Sequence, residues 1–402
     1  MQMESENSIE ISKFEWPNGF YSDAAHSGLK ATGDDLGWLY SKVPASAAGV
    51  YTTNQFQAAP TTLTKQTINL DHCLQAMVMN AGNANSCNGD QGMTDAETMQ
   101  QLAAEKLDIN PKLVGVASTG VIGELLPMVK IENGISKLDL TKTDAVTKAI
   151  LTTDTHPKTI TVKCLIDNQL VTLTGFCKGS GMIHPNMATM LGFMTTDAAI
   201  AGDQLQSLLS TTVDQTFNQI TVDGDTSTND MVIVMANGMA QNQPLTTNHP
   251  DYPTFVSAFK TVLTKLAQAI AGDGEGASKL VEVNVSGAAN HNEAQQAAKE
   301  IVGSNLVKAM IFGEDANWGR IMQALGQTNV HLDVDGVSVS VNGIQLVKNS
   351  MGTGFNEDKI AESLKAKKVT IDVDLNVGDA FGTAWGCDLT YKYVQINAAY
   401  RS

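Results

Sequence analysis

Short apolar runs in this sequence break off into loops of glycine, asparagine and hydroxyl residues, which demands a fold of mixed strands and helices. Residues 75–79 read as a buried strand that stops at the Gly/Asn-rich loop 80–92. Residues 113–117 form another, ending in Ser118-Thr119-Gly120 ahead of a helical stretch from about Gly123. Residues 159–165 and 171–176 alternate like paired strands, with Asp167-Asn168 as the turn. Further strands are expected at 189–196, 231–235 and 281–285. A helix is expected from Thr94, where Glu97 completes a capping-box pattern. Another puts Leu205, Leu208, Leu209, Val213, Phe217 and Ile220 on one face, and others run over 252–271 and 293–302. Strand patterns at 369–373 and 388–396 close the chain. These signals predict an α+β class with largely antiparallel pairing and a boundary near Gly287, dividing the chain into 1–287 and 288–402.

Charge and cysteine usage narrow the function. The 402 residues carry a net charge of −16, the wrong sign for a nucleic-acid groove or an anionic membrane surface. The five cysteines (Cys73, Cys87, Cys164, Cys177 and Cys387) are scattered, odd in number and without a Cys-x-x-Cys pair. That argues against a disulfide framework or a thiolate zinc site and for a reducing cytosol. Residues 1–14 have no basic segment leading into an apolar core, so no signal peptide is expected. A cytoplasmic location is the expectation.

Several familiar motifs fail. Asp223-Gly-Asp225 opens like a calcium loop, but Thr228 stands where glycine is needed and Val234 where glutamate is needed. Gly272-Asp-Gly274-Glu-Gly276 follows a helix, not the strand that a dinucleotide turn requires. The seven histidines never fall at metal-ligand spacing. Two segments survive. In 117–123, a strand end followed by a helix would aim the Gly120 N–H and the Thr119 hydroxyl at one point, which suits an oxyanion. A plain turn with an N-cap also fits. In 178–191, a Gly/Pro-broken loop runs abruptly into an apolar strand at Thr189. That is the setting of a precursor in which a hydroxyl attacks the preceding carbonyl, here that of Ala188. The freed α-amine, with a reference pKa of about 7.7–8.0, can act as base for its own hydroxyl. An ordinary glycine-rich loop also fits. Read alone, Lys178 is a loop charge and Glu275 a helix-end surface charge.

Residues 178–191, with the Ala188-Thr189 junction, closely resemble the cleavage segment of the ornithine acetyltransferase family, arginine-biosynthesis enzymes also called glutamate N-acetyltransferases. The segments 43–50, 80–85, 118–123, 152–154, 312–315, 317–320, 384–388 and 396–402 resemble family segments in the family's order. The resemblance implies the αββα sandwich of N-terminal-nucleophile-like enzymes followed by a smaller α/β domain. It implies autocatalytic cleavage into an α chain (1–188) and a β chain (189–402), with Thr189 as nucleophile and Thr119 and Gly120 as oxyanion hole. Its substrate-binding positions fall on Thr152, Lys178, Thr189, Glu275, Asn397 and Ser402. The implied reaction is ping-pong transfer of acetyl from N2-acetylornithine to glutamate, with no metal or cofactor, in an α2β2 heterotetramer. Acetyl-CoA as a first donor stays open. The rival readings are a self-processing aminopeptidase or amidase of related fold, which would pass the acyl group to water, and an uncleaved acetyl-amino-acid binding protein.

Overall fold

A computed structural model describes residues 9–184 and 190–399. In chain order the first part comprises β1 (Glu10–Ser12), β2 (Phe20–Ala25), β3 (Leu36–Tyr51), α1 (Ala59–Asp71), β4 (Cys73–Asn83), α2 (Gly89–Leu107) and β5 (Val114–Val121). It continues with α3 (Met128–Lys137), α4 (Val146–Ala149), β6 (Lys158–Ile166), β7 (Gln169–Lys178), β8 (Leu191–Thr196), α5 (Gly202–Asp214), β9 (Met231–Ala236) and α6 (Tyr252–Gly272). Its strands run in the order β1-β6-β7-β8-β9-β3-β4-β5, with β2 also on β3. The long β3 joins two halves. Its start pairs with β2 and β4, its end (Ser46–Tyr51) pairs with β9, and the register slips between Tyr40 and Ala45.

Alternation along the strands sorts their side chains into three apolar layers. Met77 and Met79 of β4 meet Phe193 of β8 and Met231, Ile233 and Met235 of β9 in the layer between the halves. The intervening Ala76 and Val78 face outward onto Met99 of α2 and Ile131 and Ile135 of α3. Val232 and Val234 face the other way, onto Leu205 and Leu209 of α5 and Phe259 and Leu263 of α6. Helices, sheet, sheet, helices is the αββα order the resemblance implies, and the class is α+β.

The remainder comprises β10 (Leu280–Ala288), α7 (His291–Gly303), α8 (Asn305–Phe312), α9 (Gly319–Gly326), β11 (Ser338–Val341), β12 (Ile344–Lys348), β13 (Met351–Gly352), α10 (Glu357–Leu364), β14 (Lys368–Asp374), β15 (Ala380–Cys387) and α11 (Tyr391–Ala399). Its sheet has the order β13-β12-β11-β14-β10-β15 and its own core. The boundary expected near Gly287 falls inside β10. Val281, Val283 and Val285 already belong to the second core, so the two sheets part between α6 and β10.

Four local expectations are corrected. The helix expected from Thr94 starts at Gly89, because the Asn85 amide holds Gly92 O (2.8 Å) and folds the preceding loop onto the first turn; Thr94 Oγ1 bonds Asp90 O within the helix. No helix begins at Gly123. The next one waits for Met128, since a residue before proline, here Leu126 before Pro127, is kept out of the helical region. The 205–220 helix ends at Asp214, and Phe217 and Ile220 reach the core through a short 3-10 turn. Residues 388–396 are not a strand. Asp388 caps the Ser278 and Lys279 N–H groups (2.8 and 3.0 Å), and α11 follows. The strand expected from Thr189 is described from Leu191.

Candidate active site

One pocket at the junction of the two sheet halves is lined by Thr119, Gly120, Thr152, Lys178, Glu275 and Asn397, six of the positions singled out in the sequence. Met190, Ser227, Asn229 and Asp230 share its wall. Ala188, Thr189 and Ser402 lie outside the described residues.

Thr119 and Gly120 end β5 at a bulge, without the helix N-terminus expected behind them. Asparagine side chains set this edge. Asn80 Oδ1 accepts from Ser118 Oγ (2.6 Å), and Asn229 Nδ2 donates to Ser118 O (2.9 Å) and Ala84 O (2.5 Å). Asn83 Nδ2 holds the Glu124 and Leu125 carbonyls, both at 3.1 Å. Gly120 has φ +130°, and a Cβ there would stand 2.6 Å from Asn83 N and 2.7 Å from Gly82 Cα. Gly120→Ala is therefore expected to cost about 2–4 kcal/mol in denaturant unfolding. A variant as stable as the parent would show that β4 and β5 tolerate a side chain there.

Lys178 ends β7 opposite Leu191 and donates to Thr152 Oγ1 (3.3 Å). Burial lowers the Lys178 ammonium pKa, against the opposing pull of Asp154 and Asp230. Behind it lies a buried ion cluster. Lys158 Nζ sits 2.6 Å from both Asp154 Oδ1 and Asp273 Oδ2. Asp154 Oδ1 also accepts from Gly179 N (2.7 Å), and Asp273 O accepts from Ser180 Oγ (2.6 Å). Burial works to raise the Asp154 carboxyl, yet Lys158, Lys178 and the Gly179 N–H hold it below its ordinary value.

The segment leading to the junction is clamped as well. Asp223 accepts from Met182 N (2.7 Å) and Ile183 N (2.9 Å), so the aspartate that resembled a failed calcium loop serves as an anchor. Burial pushes His184 down to about 4, and its neutral ring meets Thr221 Oγ1 at 3.0 Å. The last helix returns to the pocket. Tyr393 Oη donates to Asp223 Oδ2 (3.2 Å) and Asn397 Nδ2 to Glu275 Oε2 (2.7 Å). Glu275 is buried beside Gly181, where a Cβ would collide with its carboxylate.

Among the described residues, one group could hold a metal by spacing: Asp167, His249 and Asp251, none of which lines the pocket. These three already bond one another, His249 Nε2 to Asp167 Oδ2 at 3.1 Å and Asp167 N to Asp251 Oδ2 at 2.8 Å. Sequence reasoning missed Asp223, Asp230, Lys158 and Asp273 as parts of the site. Nothing in a linear pattern separates a buried charge from a surface one.

An αββα sandwich followed by a smaller α/β domain is the class of architecture the resemblance implies. The ArgJ family model matches residues 21–402, and the chain belongs to that family. A curated relative, the arginine biosynthesis bifunctional protein ArgJ of Lactiplantibacillus plantarum, is 58% identical over 402 residues and covers 100% of both chains. The protein of that name from Listeria monocytogenes is 52% identical over 388 residues, 96% of this chain and 98% of its own. A crystal structure of arginine biosynthesis bifunctional protein ArgJ from Bacillus halodurans matches with TM-score 0.52 at 52% identity, covering 53% of this chain and 100% of that one.

Proposed function

We propose that this chain is an arginine-biosynthetic acyltransferase that cleaves itself between Ala188 and Thr189 and moves an acetyl group from N2-acetylornithine to glutamate. The observation that carries the reading is convergence. Residues as far apart as Thr119 and Asn397 line one pocket, and that pocket ends on Met190, next to Thr189.

Thr189 Oγ attacks the acetyl carbonyl, its proton passing to the α-amine freed by cleavage. Thr119 and Gly120 stabilise the charge on the carbonyl oxygen, roughly 3–4 kcal/mol per well-aimed donor. The C–N bond breaks as the α-ammonium passes that proton to the departing nitrogen, ornithine leaves, and acetyl-Thr189 remains. Glutamate's amine then attacks the ester, releasing N-acetylglutamate and restoring the hydroxyl. Lys178 pairs with a substrate carboxylate and Glu275 with the distal ammonium, Asn397 holding Glu275 in place. Ser402 belongs to the same proposed substrate-binding set, and Thr152 orients Lys178. No cofactor is needed for these steps. An α2β2 assembly in the cytoplasm belongs to the same proposal.

The test is one preparation given acetylornithine alone, then glutamate. Mass spectrometry should find two chains and one acetyl group on Thr189, which glutamate removes as acetylglutamate. Free acetate in the presence of excess glutamate would favour an amidase, and an intact single chain that binds without turnover would favour a binding protein. Running acetyl-CoA plus glutamate beside it decides whether a second donor is used. Glu275→Ala should raise KM for acetylornithine about tenfold or more, because a buried charge-assisted bond is lost. Unchanged KM would end the ammonium assignment.

A further inference from the structure

Asp230 is a member of the pocket wall that neither the sequence motifs nor the mechanism above employs. It immediately precedes β9, whose Met231 pairs with Leu191 and donates its N–H to Met190 O (2.9 Å). The parallel register therefore sets Asp230 beside Met190, one residue from the Thr189 amine. Its carbonyl accepts from Thr52 N (3.0 Å), and neighbouring Asn229 holds the strand that carries Thr119. The side chain is 3% exposed, and its Oδ2 has no hydrogen-bond partner among the described residues. The facing charge is Lys178, at the end of β7, which donates to Thr152 and makes no salt bridge to Asp230. Ser227 faces it from its own loop, and Glu275 lies across the same pocket.

A buried carboxylate with a bare oxygen is costly, and a carboxylic acid is not. Burial pushes the Asp230 carboxyl well above the ordinary carboxylate range, against the pull of Ser227 and Lys178. Burial and the unpartnered oxygen together favour the protonated form of this carboxyl group.

Acyl exchange between two ammonium compounds needs such a proton. The amide nitrogen of acetylornithine bears one hydrogen, and ornithine departs as an ammonium with three. The Thr189 hydroxyl supplies one, so one more must come from an acid. Glutamate arrives as an ammonium, and its nitrogen keeps one hydrogen in the product. One of the two it sheds returns to the Thr189 oxygen and the other must be taken up. The acetyl-enzyme is therefore one proton poorer than the free enzyme. Resting on the acetyl-Thr189 reading, we propose that Asp230 holds this proton: its O–H bond breaks as the third N–H bond of departing ornithine forms, and it re-forms when glutamate enters. In between, the new carboxylate faces the Lys178 cation.

The test uses two acetyl donors on the self-cleaved protein, with a gel confirming both chains. Asp230→Asn keeps the shape of the side chain and removes the acidic proton. Acetylation of Thr189 by acetylornithine should fall about 100-fold or more, while acetylation by p-nitrophenyl acetate, whose leaving anion takes no proton, should fall less than about threefold. Equal losses with the two donors would mark a structural role and overturn the assignment, as would no loss with either. A parent protein that acquires no acetyl group from either donor would sink the acetyl-Thr189 reading itself. Should the variant fail to fold, infrared difference spectra of the parent decide. A protonated-carboxyl band should disappear on acetylation by acetylornithine and return with glutamate, and a band that stays constant refutes the proposal.

Discussion

Thr189→Ala should yield a single full-length chain and lower acetyl transfer by about 10⁴-fold or more, the scale of losing a nucleophile. In the proposed mechanism two chemistries fail together, because one hydroxyl would perform both. Without it the Ala188 carbonyl is not attacked, no α-amine is released, and the pocket lacks both nucleophile and base. Thr189→Ser keeps the hydroxyl and should still give two chains. A denaturing gel and a transfer assay on the same preparations check this. An alanine variant that is cleaved, or that turns over at the parental rate, would remove the basis of the mechanism.

Lys158→Met should destabilise the protein by about 3–5 kcal/mol near pH 7, the cost of leaving buried charges without a partner. The side chain is fully buried, with Asp154 on one side and Asp273 on the other. Methionine fills similar volume, so the loss reports charge, not a cavity. The cluster also ties together the elements that bear the site: the loop of Thr152, the glycines after Lys178, and the end of α6 just before Glu275. KM for acetylornithine should therefore rise as well. The pH dependence has a definite sign. Asp154 is held below its ordinary value when folded, so its contribution is complete above the unfolded pKa of about 4 and lost as pH falls through the folded value. The gap between parent and variant should narrow on acidification below about pH 4. Denaturant unfolding at several pH values measures it. A gap under about 1 kcal/mol at neutral pH would mean that the cluster behaves as a surface pair.

Where structure is decided within a few residues, the sequence was readable. The β6–β7 hairpin turns on Asp167-Asn168, both at positive φ (52° and 61°), a conformation asparagine and aspartate tolerate. The helix expected over 252–271 is α6, Tyr252–Gly272. Readings failed where a distant partner or an overlooked local constraint decided. Asn85 draws in the first turn of α2, Pro127 delays α3, and an aspartate cap turns the expected last strand into a loop before α11.

The sequence by itself determined the periodic elements, the tight hairpin and, through resemblance, six residues that line one pocket. Periodicity and turn chemistry act over a handful of positions, so they survive in a linear text. Only the tertiary structure decided that Lys158 meets Asp273, 115 residues away, that Asn397 meets Glu275 across 122, and that Asp230 is a buried acid beside Lys178. Burial and partnership set the charge state of an ionisable group, and both come from chain segments that its neighbours in sequence do not specify.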